Sequence, residues 1–486
     1  MNMEVRIEPL FLLLKSAYSS IINSFSCSIT DKRKEVTAMR RFGAITAAIA
    51  VTGVLMTTAA AALEAPLTYE RHPDNPKTFR PIGHAMFQIL DEPPEGEWKL
   101  PEFTGPLPLY IIANLGDKQH LLVFDCEKKE DDFYNRFYFD ADADGDITDD
   151  PVIEGTVDEQ GRDRYSLESA SMDVTITVDG KETPYSFKMY LSGGSLPKLL
   201  NTRNATKNLS NRFYGYFTSN CSYSCELSID GSSYRLLFSD SNVNGRFDDG
   251  IEQPPEQGFP GRQRLYFPHD GVYISDAGGT INNEDSQVHP DILIIKDRVF
   301  EAHPDFTGGS ITLTEMKNGL VPLKLGMGAE RLSLASADYS STISVFKPGG
   351  SIMVPPGDYR LLVYQALKKD EQGDLWRVSA AASNESKIIS AGNSGGALDF
   401  GEPYLPSIEI PELLRKTGSG TPSRVSLNLI VEGANGEIIF DVGRIEGTGT
   451  KIPLSKYPPG NMPKEPTYRV VKSDGEIVAK GNFEYG

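Results

Sequence analysis

The sequence is poor in cysteine, histidine and positive charge, and each shortage narrows what it can do. Only four cysteines occur in 486 residues. Three of them, Cys126, Cys221 and Cys225, lie in the body of the chain, an odd number, so at least one thiol is free or pairs between chains. If 221–225 runs as one strand, Cys221 and Cys225 stand about 13 Å apart at roughly 3.3 Å per residue, beyond the roughly 7 Å that a bridge spans. A turn at Ser222-Tyr223-Ser224 would bring them closer. The six histidines (His72, His84, His120, His269, His289, His303) include no pair at a spacing such as His-Glu-x-x-His. Lys and Arg number 48 against 67 Asp and Glu, a formal net charge of −19. Nucleic acid and anionic membranes are bound through Lys/Arg patches and are therefore poor partners. Cations are the better candidates.

Long apolar runs are missing as well, apart from 42–56. That run is shorter than the about 20 residues a membrane span needs. It follows Met39-Arg40-Arg41 and leads into Thr57-Thr58 and the small residues 59–62. A positive n-region, an apolar h-region and a small-residue cleavage site, in that order, make a secretory signal peptide over 39–62. Arg40-Arg41 lacks the flanking residues of a twin-arginine signal, and no cysteine directly follows the run, so no lipoprotein anchor is expected. The chain is expected to be exported to the periplasm, the cell surface or the extracellular space, with no membrane span after trimming. Lys34-Glu35-Val36-Thr37-Ala38 can be encoded by a stretch containing a bacterial ribosome-binding sequence just before the Met39 codon, so residues 1–38 read as a mis-assigned extension. Removing residues 1–62 leaves 41 basic against 63 acidic residues, a net of −22.

Helical periodicity is confined to short pieces such as 196–200 and 411–416. Strand signals, either alternating or rich in β-branched and aromatic residues, recur at 109–113, 121–124, 174–178, 185–191, 234–238, 292–295 and 311–314. Asp179-Gly180 and Asp230-Gly231 have the chemistry of type I′ hairpin turns, whose central residues take positive φ. The chain is expected to be all-β with minor helix and multi-domain, with antiparallel β units followed by two small β-sandwich domains. The expected boundaries are 63–195 and 196–330 for two related β units, 331–410 for a sandwich, a linker ending in Lys416-Thr417-Gly418-Ser419-Gly420, and 421–486 for a C-terminal β domain.

Each of the two β units carries an acidic loop after an aromatic strand. One reads Asp140-Ala141-Asp142-Ala143-Asp144-Gly145-Asp146-Ile147-Thr148-Asp149-Asp150. The other reads Asp240-Ser241-Asn242-Val243-Asn244-Gly245-Arg246-Phe247-Asp248-Asp249. Calcium takes six to eight hard oxygen ligands, and a twelve-residue loop supplies them from positions 1, 3, 5, 7, 9 and 12. Asp140, Asp142 and Asp144, with Asp240, Asn242 and Asn244, fill positions 1, 3 and 5. Gly145 and Gly245 make the sharp turn at position 6. Asp146 and Arg246 would contribute backbone carbonyls, and Thr148 and Asp248 fall at position 9. Repulsion among Asp140, Asp142, Asp144 and Asp146 would go uncompensated without a cation.

These loops resemble the EF-hand and dockerin calcium loop, with two departures. Strands rather than a helix enter them, and position 12 is Pro151 or Ile251 in place of the usual bidentate Glu. Asp149 and Asp249 are expected to supply the closing carboxylate. The turn Val354-Pro355-Pro356-Gly357-Asp358 and the strand 359–364 resemble the prealbumin-like, carboxypeptidase-regulatory modules over about 80 residues. Cys225-Glu226-Leu227-Ser228-Ile229-Asp230-Gly231, the loop 240–249 and the terminal Phe483-Glu484-Tyr485-Gly486 resemble exported bacterial β-rich proteins, a likeness that implies no activity.

The function expected is that of an exported calcium-binding β protein with a structural, adhesion or binding role, its partners being calcium and a cell-surface glycan or protein. The alternative is an extracytoplasmic hydrolase. Gly392-Asn393-Ser394-Gly395-Gly396 resembles the nucleophile segment of trypsin-like proteases of the high-temperature-requirement type, which also need a His base and an orienting Asp. Neither His303 nor Asp338 stands in a matching context. A glycan-active enzyme would need two carboxylates at a defined separation in space, and no such pair can be picked from the sequence.

Overall fold

A computed structural model of the chain describes residues 3–8, 62–73, 80–81, 83–161, 163–201, 209, 212–251, 264–265, 269–282, 285–370, 373–409, 427–446, 462–472 and 475–483. The signal-peptide run 42–56, the start at Met39 and the linker 411–420 lie outside the described residues. The fold is all-β and multi-domain, and the one helix among the described residues is the short Leu196–Leu200. No described helix is long and apolar enough to cross a membrane.

Three sheets build the half that carries the acidic loops. Strands Leu109–Leu115, Lys118–Asp125, Arg136–Phe139 and Ile153–Glu154 form a four-stranded antiparallel sheet. A six-stranded sheet is organised on the long strand Lys181–Gly194, which pairs with Met172–Val178, Arg164–Glu168 and Phe213–Ser219. A five-stranded sheet holds Cys221–Ile229, Ser232–Ser239 and Gly271–Asp276. Both Asp-Gly turns take the conformation their chemistry requires: φ is 50° and 74° at Asp179 and Gly180, and 50° and 76° at Asp230 and Gly231.

The inward faces of these sheets close on one hydrophobic core, with Leu122, Phe124 and Phe137 from the first sheet, Phe187 from the second and Leu236 and Phe238 from the third. The stretches 63–195 and 196–330 therefore share a core. They also share a sheet, because Lys181–Gly194 lies in register with Phe213–Ser219 from Phe187 opposite Ser219 to Gly193 opposite Phe213. Cys221 and Cys225 lie four residues apart on the single strand Cys221–Ile229. All three described cysteines are buried and free.

A twelve-stranded sheet links the halves, starting with Ala62–Pro66 at one end and reaching Leu405–Glu409 at the other. Its middle strands Arg331–Ser336, Thr342–Phe346 and Gly357–Lys369 pack against a three-stranded sheet of Val321–Leu325, Ser351–Val354 and Gly396–Leu398. The sandwich core takes Leu323, Ile352, Val354 and Leu398 from the small sheet and Leu334, Val345 and Leu361 from the large one. Near the C-terminus, Thr467–Lys472 pairs with Ile477–Asn482, and the backbone of Met3–Glu8 runs antiparallel to it.

Candidate metal-binding loops

The first acidic loop leaves the strand Arg136–Phe139, and Asp140 folds back to anchor it. Its backbone N–H donates to Leu121 O at 2.9 Å, and its carbonyl accepts a hydrogen bond from His120 Nδ1 at 2.7 Å. The fully buried Asp140 carboxylate accepts the N–H groups of Asp144 and Gly145, each at 3.2 Å. That pins the turn from inside, while Ala143 and Gly145 take φ of 56° and 85°. Asp142 and Asp144 are exposed and point with Asp140 to one place: each offers an oxygen, and these lie within 4.8 Å of one another. Calcium–oxygen bonds of about 2.3–2.6 Å let two ligands of one ion lie at most about 5 Å apart, so this spacing fits a shared cation.

The remaining positions of this loop divide the work. The Asp146 side chain turns away to Lys99 Nζ at 2.5 Å, which holds its carboxyl well below the usual range and leaves the backbone as its contribution to the loop. Thr148 donates both its N–H and its hydroxyl to Asp146 Oδ1. Ile147 is fully buried beside Leu121 and Tyr138, the apolar anchor of the turn. Asp149 is exposed and makes no hydrogen bond among the described residues. The neighbouring Asp150 folds back over the loop, its carboxylate oxygens 3.3 and 3.4 Å from Ala141 N. Burial and the charges of Asp140, Asp142 and Asp149 push Asp150 up to about 6, and burial raises Asp140 as well.

The second loop repeats the backbone and rewires the side chains. Val243 and Gly245 take φ of 59° and 83°, matching Ala143 and Gly145. A β-branched residue rarely accepts such a φ; here Asp240 Oδ1 holds Val243 N at 2.6 Å and Oδ2 holds Gly245 N at 2.7 Å. Asp240 is fully buried and also accepts the Tyr185 hydroxyl at 2.6 Å. Phe247, the counterpart of Ile147, is buried against Tyr185, Tyr223 and Phe306. Arg246, like Asp146, turns its side chain outward, to Asp117 at 2.7 Å and Asp179 at 3.1 Å.

At positions 3 and 5 the second loop differs. The amides of Asn242 and Asn244 donate to Asp249 Oδ2 at 2.9 and 2.5 Å, which places Asp249 beside positions 3 and 5. Asp248 is exposed. A further carboxylate, Asp270, closes the loop at both ends, accepting Ser241 N and Asp249 N, each at 2.8 Å. Asp240 and Asp270 are both fully buried, and both are raised by desolvation. Asp150 and Asp270 thus play the same part, each accepting the N–H of position 2. Asp150 is the neighbour of the residue chosen from sequence, whereas Asp270 comes from the entry of the strand Gly271–Asp276 and carries no local signal.

The two loops flank one turn. Gly116 N donates to Asn244 O at 2.6 Å and Asp117 pairs with Arg246, while the next residue, Lys118, donates to Asp142 O at 3.0 Å. Elsewhere, Ser394 lies in a tight turn closed by Gly395 N to Gly392 O at 2.8 Å, and no described histidine is hydrogen-bonded to it. His303 sits on the strand Arg298–Asp305, 3.9 Å from Glu301. No protein-family model matches the chain, and no curated protein or solved structure matches it either.

Proposed function

We propose that this is an exported calcium-binding β protein in which the ion rigidifies the half built on the two acidic loops, while the sandwich modules act as spacer or binding elements for a glycan or protein partner. The observation that carries the reading is the convergence of Asp140, Asp142 and Asp144 on one point within 4.8 Å. The matching backbone of the second copy supports it, since the φ values at positions 4 and 6 agree to within a few degrees. Hard oxygen donors without nitrogen or sulfur partners suit calcium, and magnesium is disfavoured because it keeps its waters.

The first loop is the tighter site. It offers three carboxylates at positions 1, 3 and 5, where the second has one carboxylate and two amides already engaged with Asp249. A site filled tenfold above its dissociation constant stabilises the fold by about 1.4 kcal/mol. Asp142→Ala should therefore abolish most of the calcium-dependent rise in melting temperature, and Asn242→Ala should remove less. Thermal melts of both variants with and without calcium check this; equal losses would contradict the ranking of the loops.

A further inference from the structure

Away from the acidic loops, the C-terminal end of the twelve-stranded sheet carries a cavity of about 450 Å³. Trp376 and Val378 from the strand Leu375–Ala381, Leu429 and Val431 from Asn428–Glu432, Tyr404 and Phe483 line it. Its volume falls within the about 300–1,000 Å³ typical of small-molecule sites. It is about three times the roughly 150 Å³ of an apolar cavity that takes up benzene. The site is an apolar groove open on one side rather than a sealed void: Phe440, one of its lining residues, is 42% exposed.

The lining is chemically lopsided. Trp376 Nε1 is already used, donating to Asp370 Oδ2 at 2.9 Å, so this residue offers the cavity only its ring. Asp441 is engaged by Arg377 at 3.4 Å. Among the described lining residues the one cation is Lys368, whose Nζ lies 5.6 Å from the centre of the Tyr404 ring and pairs with Glu402, a side chain about one-third exposed. We propose that this cavity binds a fatty acid, its acyl chain lying along Trp376, Val378 and Val431 and its carboxylate taking the place of Glu402 at Lys368. At roughly one water volume, about 30 Å³, per methylene, the space accommodates a chain of about a dozen carbons. The ligand binds by contact alone, and no bond is made or broken.

The test is titration of the full chain with a dansyl-labelled undecanoate, followed by displacement with dodecanoate and with dodecanol. One probe should bind per chain in the micromolar range, and dodecanoate should displace it more effectively than dodecanol. Val431→Trp, which fills the cavity, should weaken probe binding about tenfold or more, with the melting temperature showing that the variant is folded. Lys368→Met should remove the preference for dodecanoate over dodecanol while leaving dodecanol binding unchanged, a readout that does not depend on the first variant folding. Absence of stoichiometric probe binding, equal displacement by the acid and the alcohol in the unmodified chain, or full binding by a folded Val431→Trp variant would overturn the proposal. So would binding that becomes stoichiometric only after deletion of residues 411–426, because the chain itself would then be the occupant.

Discussion

His72 illustrates how far a single buried group can be taken at the residue scale. Its Nε2 lies 2.9 Å from Ser222 Oγ, its Nδ1 is buried without a hydrogen-bond partner among the described residues, and burial lowers its pKa to about 4. Arg80 nearby pushes in the same direction, with Glu70 opposing. A histidine whose folded pKa lies below its unfolded value of about 6.5 takes up its proton more readily in the unfolded chain. Its neutral form thus contributes fully above pH 6.5, and that contribution, no more than about 3 kcal/mol, is lost as the pH falls toward 4. The His72 ring resonances should accordingly show no titration near pH 6.5; a midpoint there would contradict the burial argument. Ser394 is the opposite case. With no histidine hydrogen-bonded to it among the described residues, Ser394→Ala should change stability by no more than about 0.5 kcal/mol, and fluorophosphonate should not label it. Stoichiometric labelling would reopen the hydrolase reading.

At this same scale the candidate site was partly legible in the sequence. Asp140, Asp142, Asp144 and the apolar anchors Ile147 and Phe247 follow from spacing, because residues two apart in a tight loop face one way. Asp150 and Asp270 do not. Asp270 lies 21 residues from the Asp249 N–H it accepts and 29 from that of Ser241, and no periodicity announces a partner delivered by a neighbouring strand.

The two loops form one element held on either side of the Gly116-Asp117-Lys118 turn, and their glycines differ in what surrounds them. Both take positive φ, so both resist a side chain. At Gly145 a methyl group would meet Glu97 O at 3.1 Å, whereas at Gly245 it would lie 2.2 Å from Ile176 Cδ1 and 3.3 Å from Gly116 N. Gly245→Ala should therefore destabilise the fold more than Gly145→Ala, by about 1–3 kcal/mol beyond the conformational cost the two share. Chemical denaturation of the two variants measures the difference, and an equal loss would show that Ile176 yields freely. The Asp-Gly hairpin turns were readable because their φ requirement is local. The strand Lys181–Gly194 was readable in its middle, 185–191, but its pairing with Phe213–Ser219 was not, since that partner is chosen by the shared core.

Over the whole molecule, the all-β class follows from strand-like runs punctuated by Gly and Pro, and the structure has that class. The modular division is harder to read from sequence because pairing crosses it. Ile292–Ile295 pairs in parallel with Thr342–Phe346, so strands from both sides of residue 330 enter one sheet. The acidic loops are thereby linked to the rest of the fold: Leu293 and Phe346 belong to the same core as Phe137, Phe139 and Phe238, which lie at the entrances to the loops. Calorimetric titration of the metal-free chain with calcium, up to about 10 mM and so well above the roughly 10⁻⁴–10⁻³ M range of extracellular calcium modules, tests the central claim. Saturable heat that is strongly reduced by Asp142→Ala is the result expected; absence of heat across that range would make both loops metal-free turns and contradict the account.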